Sequence, residues 1–359
     1  MHDKYRGCLV GGAIGDALGY SVEFMSWKTI QKIYGESGIS EYSLSDGIAL
    51  ISDDTQMTIF TAAGLLYGET RGAMRGIMGS PVGYLAIAYK DWYLTQTENQ
   101  PEESSSHTGI YYNFPELWDR RAPGNTCIHA LKNPVNDAKN ISKGCGGIMR
   151  VAPIGLWCHR LGMQREKVFA LGVDSAAITH GHWLGRLPAG AMAMMVHDLL
   201  SENTADLYSI AGACISFVNE HYGHVDDTHI LTSLMEKAVK LSMDNIDDID
   251  AITALGEGWV AEETLAIGLY CALKYKDNFE RVVCASVNHS GDSDSTGVIA
   301  GNLCGLLVGY DTIPAKYKQN LELHQLLVEI SDDLLNGCQC SEYGNPPTVE
   351  WDKKYMGKA

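Results

Sequence analysis

Two acidic clusters in the sequence each combine a hydroxyl group with two carboxylates at the predicted start of an apolar helix. The first is Ser52-Asp53-Asp54-Thr55, and the second is Asp292-Ser293-Asp294-Ser295. Helix capping is one interpretation, because Ser and Asp side chains accept the free N–H groups of a first turn and complement the helix dipole. Capping alone explains one such cluster more easily than two of the same composition.

Metal binding is the second interpretation of these clusters. Neither has a lysine or arginine immediately beside it, so four carboxylates brought together would repel one another without a cation. Oxygen ligands select Mg²⁺, Mn²⁺ or Ca²⁺ over zinc, and six of them can hold two ions that share carboxylates. The clusters therefore predict a binuclear magnesium-type site. The four carboxylates of this site would be those of Asp53, Asp54, Asp292 and Asp294.

The second cluster also imitates two unrelated motifs. If Asp292 is position 1 of an EF-hand loop, Gly297 falls correctly at position 6, but Leu303 stands at position 12 where a bidentate glutamate is required. The same aspartates resemble the nucleophile motif of haloacid-dehalogenase-type phosphatases, which follows a buried strand. Residues 287–291 do not have the pattern of such a strand, and both motifs are rejected.

The glycine-rich segment 142–150 contains Gly144, Cys145, Gly146 and Gly147. It matches neither the Walker A pattern nor the dinucleotide-binding fingerprint. Two interpretations stay open: a simple turn, or a loop whose backbone N–H groups cradle a diphosphate.

His180 and His182 are two positions apart and would not share one face of a helix. We interpret each as a ligand-contacting or hydrogen-bonded histidine rather than a zinc ligand. Near the start of the chain, Gly12, Gly15 and Gly19 have the spacing of a helix that another segment approaches closely. Glu23 is the free carboxylate nearest to that glycine stripe.

Helical periodicity dominates the elements that must position these residues. The best strand candidate, 47–52, is short, and the segments 95–108 and 120–143 have the composition of surface loops. We therefore predict an all-α, compact single-domain fold over residues 1–340, followed by a C-terminal tail at 341–359. The predicted helices include 4–19, 54–67, 82–94, 165–178, 185–200, 205–221, 262–275 and 279–288.

Composition narrows the classes of protein that this chain can be. Its 359 residues include 27 Lys plus Arg against 44 Asp plus Glu, a formal net charge of −17, which argues against nucleic-acid or membrane-surface partners. Ten cysteines without a disulfide-type spacing indicate reduced thiols. The sequence shows neither a secretory signal nor a membrane-spanning run, and we expect a cytoplasmic location.

Taken together and in their order along the chain, the motifs described above closely resemble those of the ADP-ribosylglycohydrolase family. The resemblance rests on Gly15-Asp16-Ala17-Leu18-Gly19 with Glu23, on both acidic clusters, on the segment 142–150 and on Thr179-His180. It implies a compact all-α fold with two Mg²⁺ (or Mn²⁺) ions at the mouth of a cleft. The implied reaction is hydrolysis of the bond between C1 of ADP-ribose and a modified side chain, so that the implied partners are a mono-ADP-ribosylated protein and free ADP-ribose.

The resemblance also assigns roles to individual residues. Its two metal-ligand motifs match Ser52, Asp53 and Asp54 in the first cluster and Asp292, Asp294 and Ser295 in the second, so the resemblance implies that these six residues bind the ions. Glu23 would gate the ligand or transfer protons, and Asp53 and Asp54 would join it as catalytic residues in addition to binding metal. Gly144, Cys145, Gly146 and Gly147 would cradle the diphosphate, and His180 would lie beside the distal ribose. Ser290 replaces a glycine that is common in the family. The aromatic residue that stacks on adenine is not assignable among Tyr111, Tyr112, Phe114 and Trp118.

Three functional questions stay open at the level of the sequence. The glycine-rich segment and the first acidic cluster resemble the branch that reactivates dinitrogen reductase, so we predict arginine as the modified residue. An immunity role against a cognate ADP-ribosyltransferase toxin fits the same cleft. The alternative to an active hydrolase is a catalytically inactive protein that binds ADP-ribose or occludes a toxin, but every predicted metal ligand is present.

Overall fold

A computed structural model describes residues 1–99, 101, 107–134, 137–201 and 206–357. Over these residues the chain is helical, which confirms the predicted all-α class. Three short 3₁₀ turns lie at Pro115–Trp118, Cys145–Gly147 and Trp183–Gly185. The α-helices are α1 (His2–Tyr20), α2 (Trp27–Tyr34), α3 (Asp53–Arg75), α4 (Pro81–Thr97), α5 (Gly109–Asn113), α6 (Asn125–Lys132), α7 (Ala152–Arg160), α8 (Arg165–Ala177), α9 (Leu187–Ser201), α10 (Leu207–Tyr222), α11 (Thr228–Met243), α12 (Asp248–Leu255), α13 (Ala261–Lys274), α14 (Phe279–Val287), α15 (Ser293–Val308), α16 (Ala315–Lys318), α17 (His324–Asn336) and α18 (Val349–Tyr355).

Two local expectations from the sequence are wrong. The segment 47–52 does not form a strand: the backbone N–H of Ala49 donates to the carbonyl of Asn320 at 2.8 Å, in an isolated bridge with Leu321. The segment 120–143 is not all loop, because it contains α6, whose Cys127 and Leu131 are buried against the core. Seven of the eight helices predicted by range coincide with helices of the structure to within three residues at either end, whereas the prediction 54–67 ends eight residues before the end of α3 at Arg75.

A seam of glycines joins α1 to α15, which run antiparallel. Gly7, Gly11 and Gly15 face Gly305, Gly301 and Gly297, respectively, and a Cβ at any of these positions would overlap a backbone carbonyl oxygen of the other helix. Glycine spacing of four residues therefore lets the two backbones touch. The seam brings the end of α1 directly against the start of α15, where Gly19 meets Ser293.

Three long helices, α3, α9 and α13, contribute many buried residues to the core. Helices α9 and α13 are buried along nearly their whole length, so they are apolar on most faces rather than amphipathic; α3 is buried from Asp53 to Gly68. No helix within the described residues is long and apolar enough to cross a membrane.

The last helix, α18, packs against the domain. The indole Nε1 of Trp351 donates to Thr70 Oγ1 of α3 at 2.9 Å, and the Tyr355 hydroxyl donates to Asp333 of α17 at 2.6 Å. Tyr355 is fully buried, so residues 349–355 form part of the same hydrophobic core.

Candidate active site

The first acidic cluster begins α3, and a buried carboxylate from α1 fixes its backbone. Asp16 accepts hydrogen bonds from the backbone N–H groups of Ser52 (3.0 Å) and Thr55 (3.1 Å). Ser52 is the N-cap, since its Oγ accepts from the N–H of Asp54 at 3.2 Å. The capping interpretation therefore holds for Ser52, and it leaves the carboxylates of Asp53 and Asp54 at the positive end of the helix dipole.

The second cluster begins α15 in the same manner and meets the first. Asp292 is the N-cap, and its carboxylate accepts from the N–H of Ser295 at 3.4 Å. The Ser295 hydroxyl donates to Asp54 Oδ2 at 2.7 Å. Two clusters separated by most of the chain thus lie in direct contact.

Glu23 reaches the clusters from the turn that follows α1. One carboxylate oxygen from each of Glu23, Asp292 and Asp294 lies within 4.8 Å of the others. Among the described residues, no lysine, arginine or histidine nitrogen lies within 4.0 Å of these three carboxylates or of Asp53 and Asp54. The donor set is therefore all oxygen and lacks a protein cation.

Burial raises the pKa of every carboxyl group in this set. For Glu23, Asp53, Asp54 and Asp292, desolvation is the largest cause, and neighbouring carboxylates raise the pKa further. The pKa of Glu23 is about 10, and the pKa values of the three aspartates lie well above their ordinary range. Burial followed by repulsion from Asp294 raises the pKa of Asp16 to about 7. Such groups ionise together only when positive charge lies among them, so the residues present fit a hard divalent cation such as Mg²⁺ or Mn²⁺.

The glycine-rich segment lies across the cleft from these carboxylates. Its backbone is tied to the start of α13 by the N–H of Ala261, which donates to the carbonyl of Lys143 at 2.9 Å. Gly144, Cys145 and Gly146 line the cleft, and the Cys145 thiol donates to Asp292 Oδ2 at 2.8 Å. Gly147 does not line it: a Cβ there would lie 2.7 Å from the carbonyl oxygen of Gly185, so this glycine serves packing.

His180 forms part of the cleft floor beyond this segment. It is buried, lines the cleft and approaches Gly144 and Gly146 with its Nε2 edge. Burial, then Arg150 and Arg186, lowers the pKa of His180 to about 3. His180 is therefore a neutral imidazole in the ordinary pH range. His182 caps the following 3₁₀ turn, where its Nδ1 accepts from the N–H of Leu184.

The cleft has a volume of about 300 Å³ and contains nearly all of the residues that the sequence singled out. Ser52 and Gly147 lie behind its wall. The predicted residues that line it are Glu23, Asp53, Asp54, Gly144, Cys145, Gly146, His180, Asp292, Asp294 and Ser295.

Two aromatic residues at the mouth of the cleft were missed by the sequence reasoning. Phe24 and Trp259 stack with ring centroids 5.3 Å apart and planes 20° apart, and both rings are exposed to solvent. Phe24 has a positive φ of 64°, an unfavourable conformation for a bulky residue. Its place directly after Glu23 is the one sequence signal that could have identified it.

The four aromatic candidates for adenine stacking do not line this cleft. Tyr111 is fully buried. Its ring stacks on His107 and also contacts the ring of Trp118. Tyr112 and Phe114 pack against the core. These four residues belong to α5 and to the segment that follows it, outside the cleft.

Comparison with known proteins identifies the family to which this fold belongs. A family model described as ADP-ribosylglycohydrolase matches residues 1–343. The "ADP-ribosyl-[dinitrogen reductase] glycohydrolase" of Rhodospirillum rubrum is 24% identical over 336 residues, covering 90% of this chain and 92% of that protein. The "ADP-ribosylhydrolase ARH3" of Homo sapiens is 24% identical over 354 residues, covering 89% of each. A solved structure named "ADP-ribosylglycohydrolase-related protein complex" shares the fold, with a TM-score of 0.63 at 21% identity over 93% of this chain and 98% of that one.

The family model and the named relatives, together with the carboxylate-lined cleft at the meeting of three helix ends, assign the class: hydrolases of glycosidic bonds. The chain belongs to the ADP-ribosylglycohydrolase family, as the match over nearly its whole length shows.

Proposed function

We propose that this protein is a metal-dependent hydrolase that removes mono-ADP-ribose from arginine side chains of modified proteins. The observation that carries the proposal is the contact between the two acidic clusters, made by Ser295 and Asp54, beside Glu23 and opposite the glycine-rich segment. The cleft thus has a carboxylate wall suited to ribose hydroxyls and cations, and a backbone wall suited to a diphosphate.

Two Mg²⁺ or Mn²⁺ ions are proposed as cofactors. Asp53, Asp54, Asp292, Asp294 and Ser295 would hold them, with Ser52 close behind. When bound, such ions neutralise the carboxylates and polarise ribose hydroxyls and water. The positive charge of the bound ions would also reverse the local electrostatic field of a chain with a net charge of −17. Without the ions, that negative field would repel a diphosphate.

The proposed reaction replaces the bond between ribose C1 and the acceptor nitrogen with a bond between C1 and a water oxygen. Cleavage passes through an oxocarbenium-like state, and a carboxyl group must take the proton from water while the leaving guanidine gains one. Glu23 is suited to proton transfer because it is half-buried, lies at the cleft and is free of any ion pair among the described residues. Asp53 and Asp54 support the same step by fixing the charge around the ribose.

Arginine as the acceptor is supported by the chemistry of the cleft mouth. The exposed stack of Phe24 and Trp259 offers aromatic faces to a planar guanidinium, and carboxylates lie directly below it. A guanidinium stacks on aromatic rings and pairs with carboxylates, whereas a serine acceptor uses neither contact.

A cytoplasmic location is part of the proposal, and the ten free cysteine thiols support it. The toxin-immunity role stays a prediction, since the same cleft would serve it equally well.

The test is hydrolysis of arginine-, serine- and cysteine-linked ADP-ribosyl peptides, with release of free ADP-ribose as the measurement. We expect fastest release from arginine, loss of release on addition of a chelator, and recovery with Mg²⁺ or Mn²⁺. Glu23→Gln is the matched variant, expected to bind ADP-ribose without turnover. A preference for serine would refute the linkage, while ADP-ribose binding without hydrolysis of any linkage would establish the binding-protein alternative.

A further inference from the structure

Arg150 is fully buried directly beneath the cleft floor, and no carboxylate oxygen of the described residues lies within 4.0 Å of its guanidinium. Its guanidinium lies 4.1 Å from the ring centroid of Tyr89. Its Nη2 donates to the carbonyl of Ser175 at 3.2 Å and to the hydroxyl of Thr179 at 2.7 Å. A buried charge without an opposite charge is costly, so its contacts with these neutral groups call for a functional explanation.

The hydroxyl of Thr179 links Arg150 to His180. Its Oγ1 lies 2.8 Å from His180 Nδ1 and 3.3 Å from the carbonyl oxygen of Ala176. That carbonyl already accepts the backbone N–H groups of Thr179 (3.0 Å) and His180 (2.9 Å), which use both of its lone pairs. Because Arg150 also donates to Oγ1, and because Nδ1 is the nearer of the two acceptors in reach, the contacts favour donation of the Thr179 hydroxyl proton to His180 Nδ1.

A Nδ1 atom that accepts this proton cannot carry one itself. The imidazole is neutral, as its lowered pKa indicates, so its single N–H is on Nε2. Nε2 has no hydrogen-bond partner among the described residues and faces Gly144 and Gly146 at the cleft. Arg186 Nε donates to the backbone carbonyl of His180 at 2.7 Å and so fixes the backbone at this position.

We propose that Arg150 and Thr179 are positioning residues that hold His180 in the Nε2–H form, with this N–H presented to an oxygen acceptor of the ligand in the cleft. The acceptor is an oxygen of the ADP-ribose diphosphate or its adjoining ribose, so this part of the inference rests on the proposed function. The tautomer itself is a property of the ligand-free protein and does not rest on it.

The tautomer is tested by ¹⁵N–¹H correlation spectra of the histidine side chains in ligand-free protein, with the His180 signals assigned from their loss in His180→Gln. We expect the wild-type proton on Nε2, and the same in Thr179→Ser, which keeps the hydroxyl. Thr179→Val removes it and should release the ring to the Nδ1–H form. A wild-type proton on Nδ1 would overturn the proposal without any variant having to fold.

The consequence for the ligand is tested by the affinity for ADP-ribose in the presence of Mg²⁺. We expect about a tenfold loss in Thr179→Val and in Arg150→Met, and near-normal affinity in Thr179→Ser. The Mg²⁺-induced shift in unfolding midpoint should be the same in all three. Equal losses in Thr179→Ser and Thr179→Val would show a packing role and refute the proposal. If wild-type protein fails to bind ADP-ribose, the proposed function fails, and the spectra still decide the tautomer.

Discussion

At the scale of single residues, the carboxylates of the site do two things at once. Asp292 caps a helix, and Asp54 accepts the Ser295 hydroxyl, yet both also lie in a cleft with like charges around them. Capping stabilises the fold, whereas crowding of carboxylates opposes it. Asp54 separates the two effects more clearly, because it is not a cap.

We expect Asp54→Ala to abolish turnover and leave the fold intact. In metal-free buffer, its unfolding midpoint should equal or exceed that of the wild type, because deletion of one buried carboxylate relieves repulsion and desolvation. Release of ADP-ribose and thermal unfolding in chelator are the measurements. Asp244→Ala, at an exposed carboxylate after α11, is the control and should change neither. Substantial unfolding of Asp54→Ala without metal would instead indicate a structural role.

The residues that sequence reasoning could find are those with a type and spacing that chemistry requires. Paired acids at helix starts identified both clusters, because carboxylates and hydroxyls at a first turn are visible without knowledge of the fold. Asp16 belongs to one of the motifs, but the sequence indicates no role for it. Its partners Ser52 and Thr55 become its neighbours only when α1 packs beside α3. Trp259 was missed for the same reason: nothing near it in sequence indicates the cleft.

At the scale of elements, helix positions were predictable and helix partners were not. Apolar periodicity identified the eight helices because burial of one or more faces is a local pattern. The spacing of Gly12, Gly15 and Gly19 predicted that another segment approaches α1 closely, but it does not indicate which segment. Gly15 and Gly19 meet the backbone of α15, whereas Gly12 faces the side chain of Asn302 in the same helix. The pairing with α15 depends on complementary glycines such as Gly301 and Gly305, whose match to α1 is visible only in the structure.

Gly305→Ala should destabilise the fold by about 1–3 kcal/mol, because its methyl group would force the backbones of α1 and α15 apart at Gly7. Denaturant unfolding measures the change. The matched control is Gly212→Ala in α10, where the new Cβ has open space; it should stabilise by up to about 1 kcal/mol, since alanine favours the helix. Equal effects at the two positions would contradict close packing along the seam.

At the scale of the whole molecule, metal binding and folding are coupled. A divalent cation that binds the native cleft and not the unfolded chain stabilises the protein by mass action. We expect Mg²⁺ or Mn²⁺ at a hundredfold excess over Kd to raise the unfolding midpoint by about 3 °C per ion, as estimated for a chain of this size. Differential scanning calorimetry measures this, and NaCl of matched ionic strength controls for screening of the net charge. An unchanged midpoint, or an equal shift in Asp54→Ala, would argue against metal at these carboxylates.

The glycine seam between α1 and α15 has a consequence for how the protein is made. Its two halves lie near opposite ends of the chain, and a ribosome adds about 5–20 residues per second. On the order of tens of seconds therefore pass between the synthesis of α1 and the synthesis of its partner α15. During this time the glycine face of α1, where its backbone is exposed, is not covered by α15. The carboxylates of α3 and α15 are kept apart during that interval, so the crowded site forms only after α15 has been synthesised. In the growing chain, catalytic competence is thus a late event of synthesis, reached only when the final third of the chain has folded back onto the first helix.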